Sequence, residues 1–291
     1  MYRFALLDPR PGENRNQGLL GLKTLGIEVT VPWLARHCGL GNIDPQHTGQ
    51  NIDLAAIEAA LEFPLPPDGT ILVTIRPDCD AFGAMAVLKM RATGTKMKNG
   101  ILSRVTYVAK RDRFEVGQWP GPRSLPENNP EPSPFTVMSA VCNNNHLSVD
   151  QRVIHMQAWL ETAEEPPDYR DKVYWASYIM LRDIRDGKLP LRTMANGKIA
   201  TAIGDNPGLV SLAYYLAPVV VVHYPIGPNG KSKFSICQYH KGFISMDTLV
   251  MQLQAHEPDW GGSSTRIGSP QGIGSSLSPD AVVEMVKRHL I

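Results

Sequence analysis

Thr70-Ile71-Leu72-Val73-Thr74-Ile75-Arg76-Pro77-Asp78-Cys79-Asp80-Ala81-Phe82-Gly83-Ala84-Met85-Ala86-Val87-Leu88-Lys89-Met90 joins two structural signals through one acidic junction. Thr70 to Ile75 is a continuous apolar, β-branched run, the mark of a strand buried in a parallel sheet. Ala81 to Met90 carries the small and apolar residues of a packed helix. Asp78 and Asp80 stand between them, where the strand ends and the helix begins. Ligands of open α/β sheets gather beyond the carboxyl ends of the strands. Residues i and i+2 of an extended stretch project the same way, so both carboxylates can face one point. Neighbouring carboxylates repel unless a cation sits between them, and a hard divalent metal is the usual solution. A simpler arrangement also suits these residues, with Asp80 capping the helix and Asp78 solvated.

Outward from this junction, strands are expected at 2–7 and 27–31, and a helix at 53–62 with Asp53 as its cap. Residues 104–109 read as a further strand, which makes Asp112 another acid at a strand end. Pro120, Pro122, Pro126, Pro130, Pro132 and Pro134 mark 117–135 as an extended surface loop. Residues 149–163 and 171–186 look like amphipathic helices. A break at Gly187-Lys188-Leu189-Pro190 precedes a second run of elements. These are strands at 198–203, 219–224 and 233–238, helices at 208–216 and 246–254, a Gly/Ser-rich loop at 261–278, and a terminal helix from Pro279 with Ser278 as its cap. The alternation predicts an α/β fold of two domains, a larger one with a mostly parallel sheet (1–190) and a smaller α/β accessory domain (191–291). The boundary is expected near 187–197.

Composition narrows the function. The 291 residues carry 29 Lys plus Arg against 28 Asp plus Glu, a net charge of +1. That balance argues against a protein that coats long nucleic acid by bulk charge. The apolar run near 209–224 is broken by Pro218 and is shorter than the roughly 20 residues of a membrane span. The start of the chain turns polar too soon for a signal peptide. The four cysteines, Cys38, Cys79, Cys142 and Cys237, are widely spaced with no CxxC pair, and read as reduced thiols of a cytoplasmic protein.

Further candidates lie in polar loops. Asp44 and His47, three residues apart in Gly41-Asn42-Ile43-Asp44-Pro45-Gln46-His47, can share a metal, or simply lie in a loop of turn formers. His146 follows three asparagines and could be a ligand. Gly261-Gly262-Ser263-Ser264 with Arg266 could hold an anion through backbone N–H groups, hydroxyls and a guanidinium, or be a mobile loop. His240, after a strand, could meet substrate. His223, inside an apolar strand, and His155, beside Trp159, read as packing residues.

The order of these features resembles the DHH phosphoesterase superfamily. Asp78-Cys79-Asp80-Ala81-Phe82-Gly83-Ala84-Met85 is similar to its first motif, a His-x-Asp-x-Asp strand end followed by a helix of small residues. The run from Lys198 to Tyr224, the strand at Phe234-Ser235-Ile236, the helix near Asp247 and the Gly261-Gly262 loop resemble its accessory domain, DHHA1. The resemblance implies a catalytic domain over 1–190 and a substrate-binding domain over 191–291, with divalent metals between them. The metal would be manganese, with magnesium as the alternative, and would activate a water to attack phosphorus. It implies Asp78 and Asp80 as catalytic residues and metal ligands; Asp112, Asp44, His47 and His146 are this sequence's own candidates to complete the metal site. Gly261, Gly262, Ser263, Ser264, Arg266 and His240 would bind substrate. The sequence departs from the family in four places. Arg76 replaces the leading histidine, no Asp-His-His occurs, Gly-Gly-Ser-Ser stands where glycines are followed by histidine, and the family's arginine in the accessory strand falls near Cys237 and Gln238.

The expected function is therefore metal-dependent hydrolysis of a small nucleotide or other phosphorylated compound in a cleft between two domains. The alternative is a catalytically inactive nucleotide-binding or regulatory protein on the same scaffold. A third reading is an interaction protein that docks through 117–135. No membrane or long nucleic acid is expected as partner, and a homodimer is compatible.

Overall fold

The apolar run that begins at Thr70 forms an interior strand of a four-stranded parallel sheet. Elements are numbered in chain order. This strand, β4 (Ile71–Thr74), lies between β1 (Arg3–Leu6) and β2 (Thr24–Ile27), and β3 (Asn42–Ile43) completes the order β1-β4-β2-β3. All three pairings are parallel. The structure is a computed structural model that describes residues 1–10, 15–46, 53–113, 117–206, 208–225, 227, 230–270 and 272–291. The chain divides into two compact units. The first is Met1–Arg113 with Pro132–Val173, and the second is Phe114–Glu131 with Tyr174–Ile291. The expected break at 187–197 falls inside the second unit.

In the first unit, a short helix α1 (Pro32–Ala35), then α2 (Ala56–Glu62), α3 (Cys79–Ala92), α4 (Asn99–Asp112), α5 (Pro134–Cys142) and α6 (Val149–Thr162) accompany the sheet. Helix α3 is buried almost all round, from Cys79 to Leu88 and again at Met90. A helix with no polar face must be enclosed by neighbours, and α2, α4, α5 and α6 all pack on it. Gly83 makes room for α2, because a Cβ there would run into the Ile57 side chain.

The expected strand at 104–109 is instead part of α4. Its buried residues are Ile101, Val105, Val108 and Ala109, a helical spacing. The β-rich run Val105-Thr106-Tyr107-Val108 hides that period. Asp112 is accordingly the last residue of a helix. Strand β2 ends at Ile27, earlier than the 27–31 reading, and Glu28 turns away with φ +50°. Helix α2 starts at Ala56 with Ala55 at the cap position, so Asp53 does not cap it.

The long helix α7 (Tyr169–Arg185) contains the boundary between the units. The second unit holds a six-stranded mixed sheet in the order β5-β6-β7-β8-β10-β9. Its strands are β5 (Leu191–Met194), β6 (Ile199–Ile203), β7 (Val219–Tyr224), β8 (Lys233–Gln238), β9 (Gly261–Ser263) and β10 (Arg266–Gly268). Among the described residues of this sheet, only β6 and β7 pair in parallel. Helix α8 (Leu209–Ala213) packs with α7 against Ala200, Ala202, Val220 and Val222. Helices α9 (Met246–His256) and α10 (Pro279–Arg288) pack against the residues of opposite parity, Ile199, Val219, Val221, Phe234, Ile236 and Ile267. This alternation gives the sheet two buried faces. The N–H of Ala281 donates to the Ser278 hydroxyl, the expected cap of α10. The expected Gly/Ser loop at 261–278 begins with the β9–β10 hairpin, which pairs Arg266 with Cys237 of β8.

Candidate functional site

Because the four strands of the first sheet run parallel, their carboxyl ends share one edge, and each is followed by an acid: Asp8, Glu28, Asp44, and the pair Asp78 and Asp80. Asp8 is engaged locally. Arg10 and Arg15 bind it, and the Arg10 hydrogen bond holds its carboxyl far below the usual range despite some burial. The other acids converge with Arg76 and with Asp112.

Asp78 is the N-cap of α3, and its Oδ1 accepts from the Ala81 N–H at 2.9 Å. Asp80 lies in the first turn of α3 and is 1% exposed. Its two oxygens accept from the N–H groups of Ala56 (2.8 Å) and Ile57 (2.9 Å). Asp80 thus caps α2, the helix whose own cap position is an alanine. Burial, then Asp112 and Asp78, push the Asp80 carboxyl well above the usual range, against the two backbone hydrogen bonds. Cys79, between the two acids, is buried. A hydrogen bond with Cys142, followed by burial, pushes its thiol up, which removes it as a nucleophile.

Glu28 is the residue the sequence reading missed. It is 2% exposed, and its Oε2 has no hydrogen-bond partner among the described residues. Its Oε1 lies 3.9 Å from the Arg76 guanidinium. Burial first, then Asp78 and Asp80, push the Glu28 carboxyl well up. Burial opposes the charge of Arg76, but Glu28, Asp78, Asp112 and Asp44 outweigh it and raise its pKa. Asp44 is buried after β3, and Gln46 two residues on donates to Asp112 Oδ2 at 3.2 Å. Four carboxyl groups, those of Glu28, Asp78, Asp112 and Asp44, therefore act electrostatically on one guanidinium, with Glu28 the one in direct reach of it. His47 lies outside the described residues. His146 is exposed in the turn between α5 and α6, and its described hydrogen bond, from its N–H to Asn144 Oδ1, stays within that turn.

The donor chemistry fits a hard divalent cation. The donors are carboxylate oxygens, they are in excess over Arg76, and one buried oxygen of Glu28 lacks a partner. Among the described residues, no three His, Cys, Asp or Glu side chains already stand close enough together to enclose an ion.

The second unit holds the remaining candidates. Gly261, Gly262 and Ser263 form strand β9, and Ser264 lies in the turn to β10. The Ser264 carbonyl accepts from Gln238 Nε2 at 2.6 Å, while Ser263 Oγ meets Thr265 Oγ1 at 3.2 Å. Gly262 serves the hairpin, since a Cβ there would strike the Arg266 carbonyl oxygen. Arg266 is exposed on β10. The Lys233 ammonium lies 5.4 Å from the centre of the Tyr224 ring. Burial, then the nearby charge of Arg266, push Lys233 down. Two cations that repel each other can take up an anion. His223 is half-buried, stacked on Phe234 at 4.9 Å and paired with Ser232, as suits a packing residue. His240 lines a cavity with Trp119 and Phe243.

The fold and these side chains define an α/β protein of two units with an acidic carboxyl edge on its parallel sheet. No protein-family model matches the chain, and no curated protein matches it in sequence. Among solved structures it is similar to the pGpG-specific phosphodiesterase PggH from Vibrio cholerae. The match has 10% identity, covers 84% of this chain and 92% of that one, and has a TM-score of 0.41. Among the described residues no helix is long and apolar enough to cross a membrane.

Proposed function

We propose that the chain hydrolyses a phosphoester of a small nucleotide or similar compound at the carboxyl edge of its parallel sheet. The observation that carries this reading is the set of acids Glu28, Asp44, Asp78 and Asp112 that act on Arg76, with a buried Glu28 oxygen left unpartnered among the described residues. Glu28, Asp44 and Asp78 would have to draw together to hold a divalent cation, manganese or magnesium. Such an ion lowers the pKa of a bound water and neutralises charge on phosphoryl oxygens. Asp80, with both oxygens on α2, positions the α3 junction from which Asp78 projects.

Hydrolysis of a panel of dinucleotides and nucleotide phosphates with manganese tests the reading, comparing wild type with Asp78→Asn. Activity lost in the variant supports it, and equal activity in both ends it. Calorimetric titration with manganese provides a readout that does not depend on turnover.

One observation favours a second reading, a nucleotide-binding protein without catalysis. Arg76 already supplies a positive charge to the carboxylates. Stabilisation by nucleotide in the presence of a chelator, with no turnover in any metal, would decide for it.

A further inference from the structure

Helix α7 is buried on one face and aromatic on the other. Its Met180, Leu181 and Ile184 pack into the core of the second unit. The opposite face carries Trp175 at 57% exposure, Tyr178 at 43% and Ile179 at 46%. Single exposed apolar residues are ordinary, but adjoining ones mark an interaction surface. Trp175 meets Tyr178 edge to face at 5.5 Å and Tyr174 at 5.7 Å, so the rings form one ladder. The proline-rich segment is held to the same helix and leaves Trp175 and Tyr178 exposed. Asn129 Nδ2 donates to the Tyr174 carbonyl at 2.9 Å, and the Arg185 guanidinium donates to the carbonyls of Pro126 and Glu127.

The charges flanking the rings identify what covers them. Asp171, Trp175, Tyr178 and Arg182 are all exposed and follow the alternating spacing of four and three residues that makes a coiled-coil seam. At about 100° per residue, they fall within about 60° of one another around the helix axis. In an antiparallel pair of identical helices centred between Ala176 and Ser177, Trp175 faces Tyr178 of a second copy, and Asp171 faces its Arg182. Each contact occurs twice, because two-fold symmetry makes the surface its own complement. The same register sets no charge of α7 opposite its like. A parallel pair would set Asp171 against Asp171 and Arg182 against Arg182, which like-charge repulsion disfavours. The present partner of Arg182 is its neighbour Asp183, at 3.0 Å, with the Arg182 side chain 51% exposed. Such a surface pair contributes little and yields readily to another.

We propose that this face of α7 binds a second copy of the chain. The two helices pair antiparallel, with Trp175 and Tyr178 at the centre and an Asp171–Arg182 ion pair at each end. Trp, Tyr and Arg are the residues most enriched at the energetic centres of interfaces. One helix per copy buries less than the roughly 800 Å² per partner of a standard interface, so the dimer is weak and dissociates on dilution. The pairing does not depend on phosphoester hydrolysis.

The test is the mass of the full chain in solution, read by sedimentation velocity from roughly 1 to 300 μM, with neither metal nor nucleotide added. Wild type should pass from monomer to dimer across that range. Asp171→Lys and Arg182→Glu each set like charges at both ends of the pair, and each should weaken association roughly ten-fold or more. Mixed together, the two variants should associate about as well as wild type, because opposite charges again face each other across the pair. Recovery in the mixture also shows that both variants are folded. Trp175→Ala should weaken the dimer by a similar factor, with an unchanged circular dichroism spectrum. A chain that stays monomeric at every concentration overturns the proposal, as does a dimer that all three variants leave intact. Two charge variants that keep the wild-type circular dichroism but fail to recover on mixing overturn it as well.

Discussion

The carboxylate of Asp80 in α3 closes the amino end of α2 at Ile57, 23 residues earlier in the chain, at 2.9 Å. Its other oxygen takes the N–H of Ala56. Asp80→Ala would leave two buried N–H groups without partners, at a cost of about 2 kcal/mol or more. The expected result is a lowered melting temperature whether or not substrate or metal is present. A variant as stable as wild type would show that α2 finds other partners for its first turn.

Asp78 separates chemistry from stability, because asparagine caps helices about as well as aspartate. Asp78→Asn should keep the Ala81 hydrogen bond and a melting temperature close to that of wild type, while losing phosphoester hydrolysis. Asp78→Ala should lose both activity and about 1 kcal/mol of stability. If Asp78→Asn retains full activity, Asp78 is only a cap.

Legibility followed sequence distance. Strand β4 and helix α3 were readable because Thr70–Ile75 and Ala81–Met90 carry their signals in unbroken runs. Strands β6, β7 and β8 and helices α8, α9 and α10 were readable for the same reason. Glu28 was not, because Ile27-Glu28-Val29-Thr30-Val31 alternates like a strand, whereas the chain leaves the sheet at Ile27 with Glu28 at φ +50°. Helix α4 was disguised by its β-branched and aromatic residues. The pairing of β10 with β8 joins Arg266 to Cys237 across 29 positions, and the Gly/Ser composition there carries no strand signal. The role of Asp80 depends on Ala56 and Ile57, and no local pattern points to such a pairing.

Gly262 tests whether the glycines of this segment serve the hairpin. At φ +154°, a Cβ would strike the Arg266 carbonyl oxygen inside the β9–β10 pair. Gly262→Ala should cost about 2 kcal/mol, detectable in urea unfolding. Gly261→Ala, where a Cβ meets open space, should cost much less. Equal stability of the two variants would refute the steric account.

Glu257 sets an acid limit to stability. Its carboxylate accepts from Ser275 Oγ (2.5 Å), the Ser276 N–H (2.7 Å) and the Trp260 indole (3.3 Å), tying the end of α9 to the segment before α10. Burial works against its charge, but these hydrogen bonds prevail and hold its pKa below the ordinary value. A depressed folded pKa contributes stability above the unfolded value, about 4.3, and that contribution is lost as pH falls through the folded value. Glu257→Gln should therefore be less stable than wild type at pH 7, by roughly 1–2 kcal/mol. The gap should narrow below pH 4, as wild type takes up its proton. Melting curves from pH 7 to pH 3 provide the measurement, and a gap that widens toward acid would contradict the sign.

Arg76 decides how the carboxyl groups at the sheet edge are neutralised. Its guanidinium, 3.9 Å from Glu28 Oε1, is held charged by Glu28, Asp78, Asp112 and Asp44. Replacing it with a neutral side chain leaves those carboxyls repelling one another at a buried edge, where a lost countercharge is costly. Arg76→Gln should melt lower than wild type in chelator, and manganese should raise its melting temperature by more than it raises that of wild type. Arg76→His should show the larger manganese effect of the two, since a neutral imidazole can ligate the ion where an amide is a poor donor. If manganese shifts wild type and both variants equally, the cation is bound elsewhere, and the acidic edge is neutralised by its own arginine.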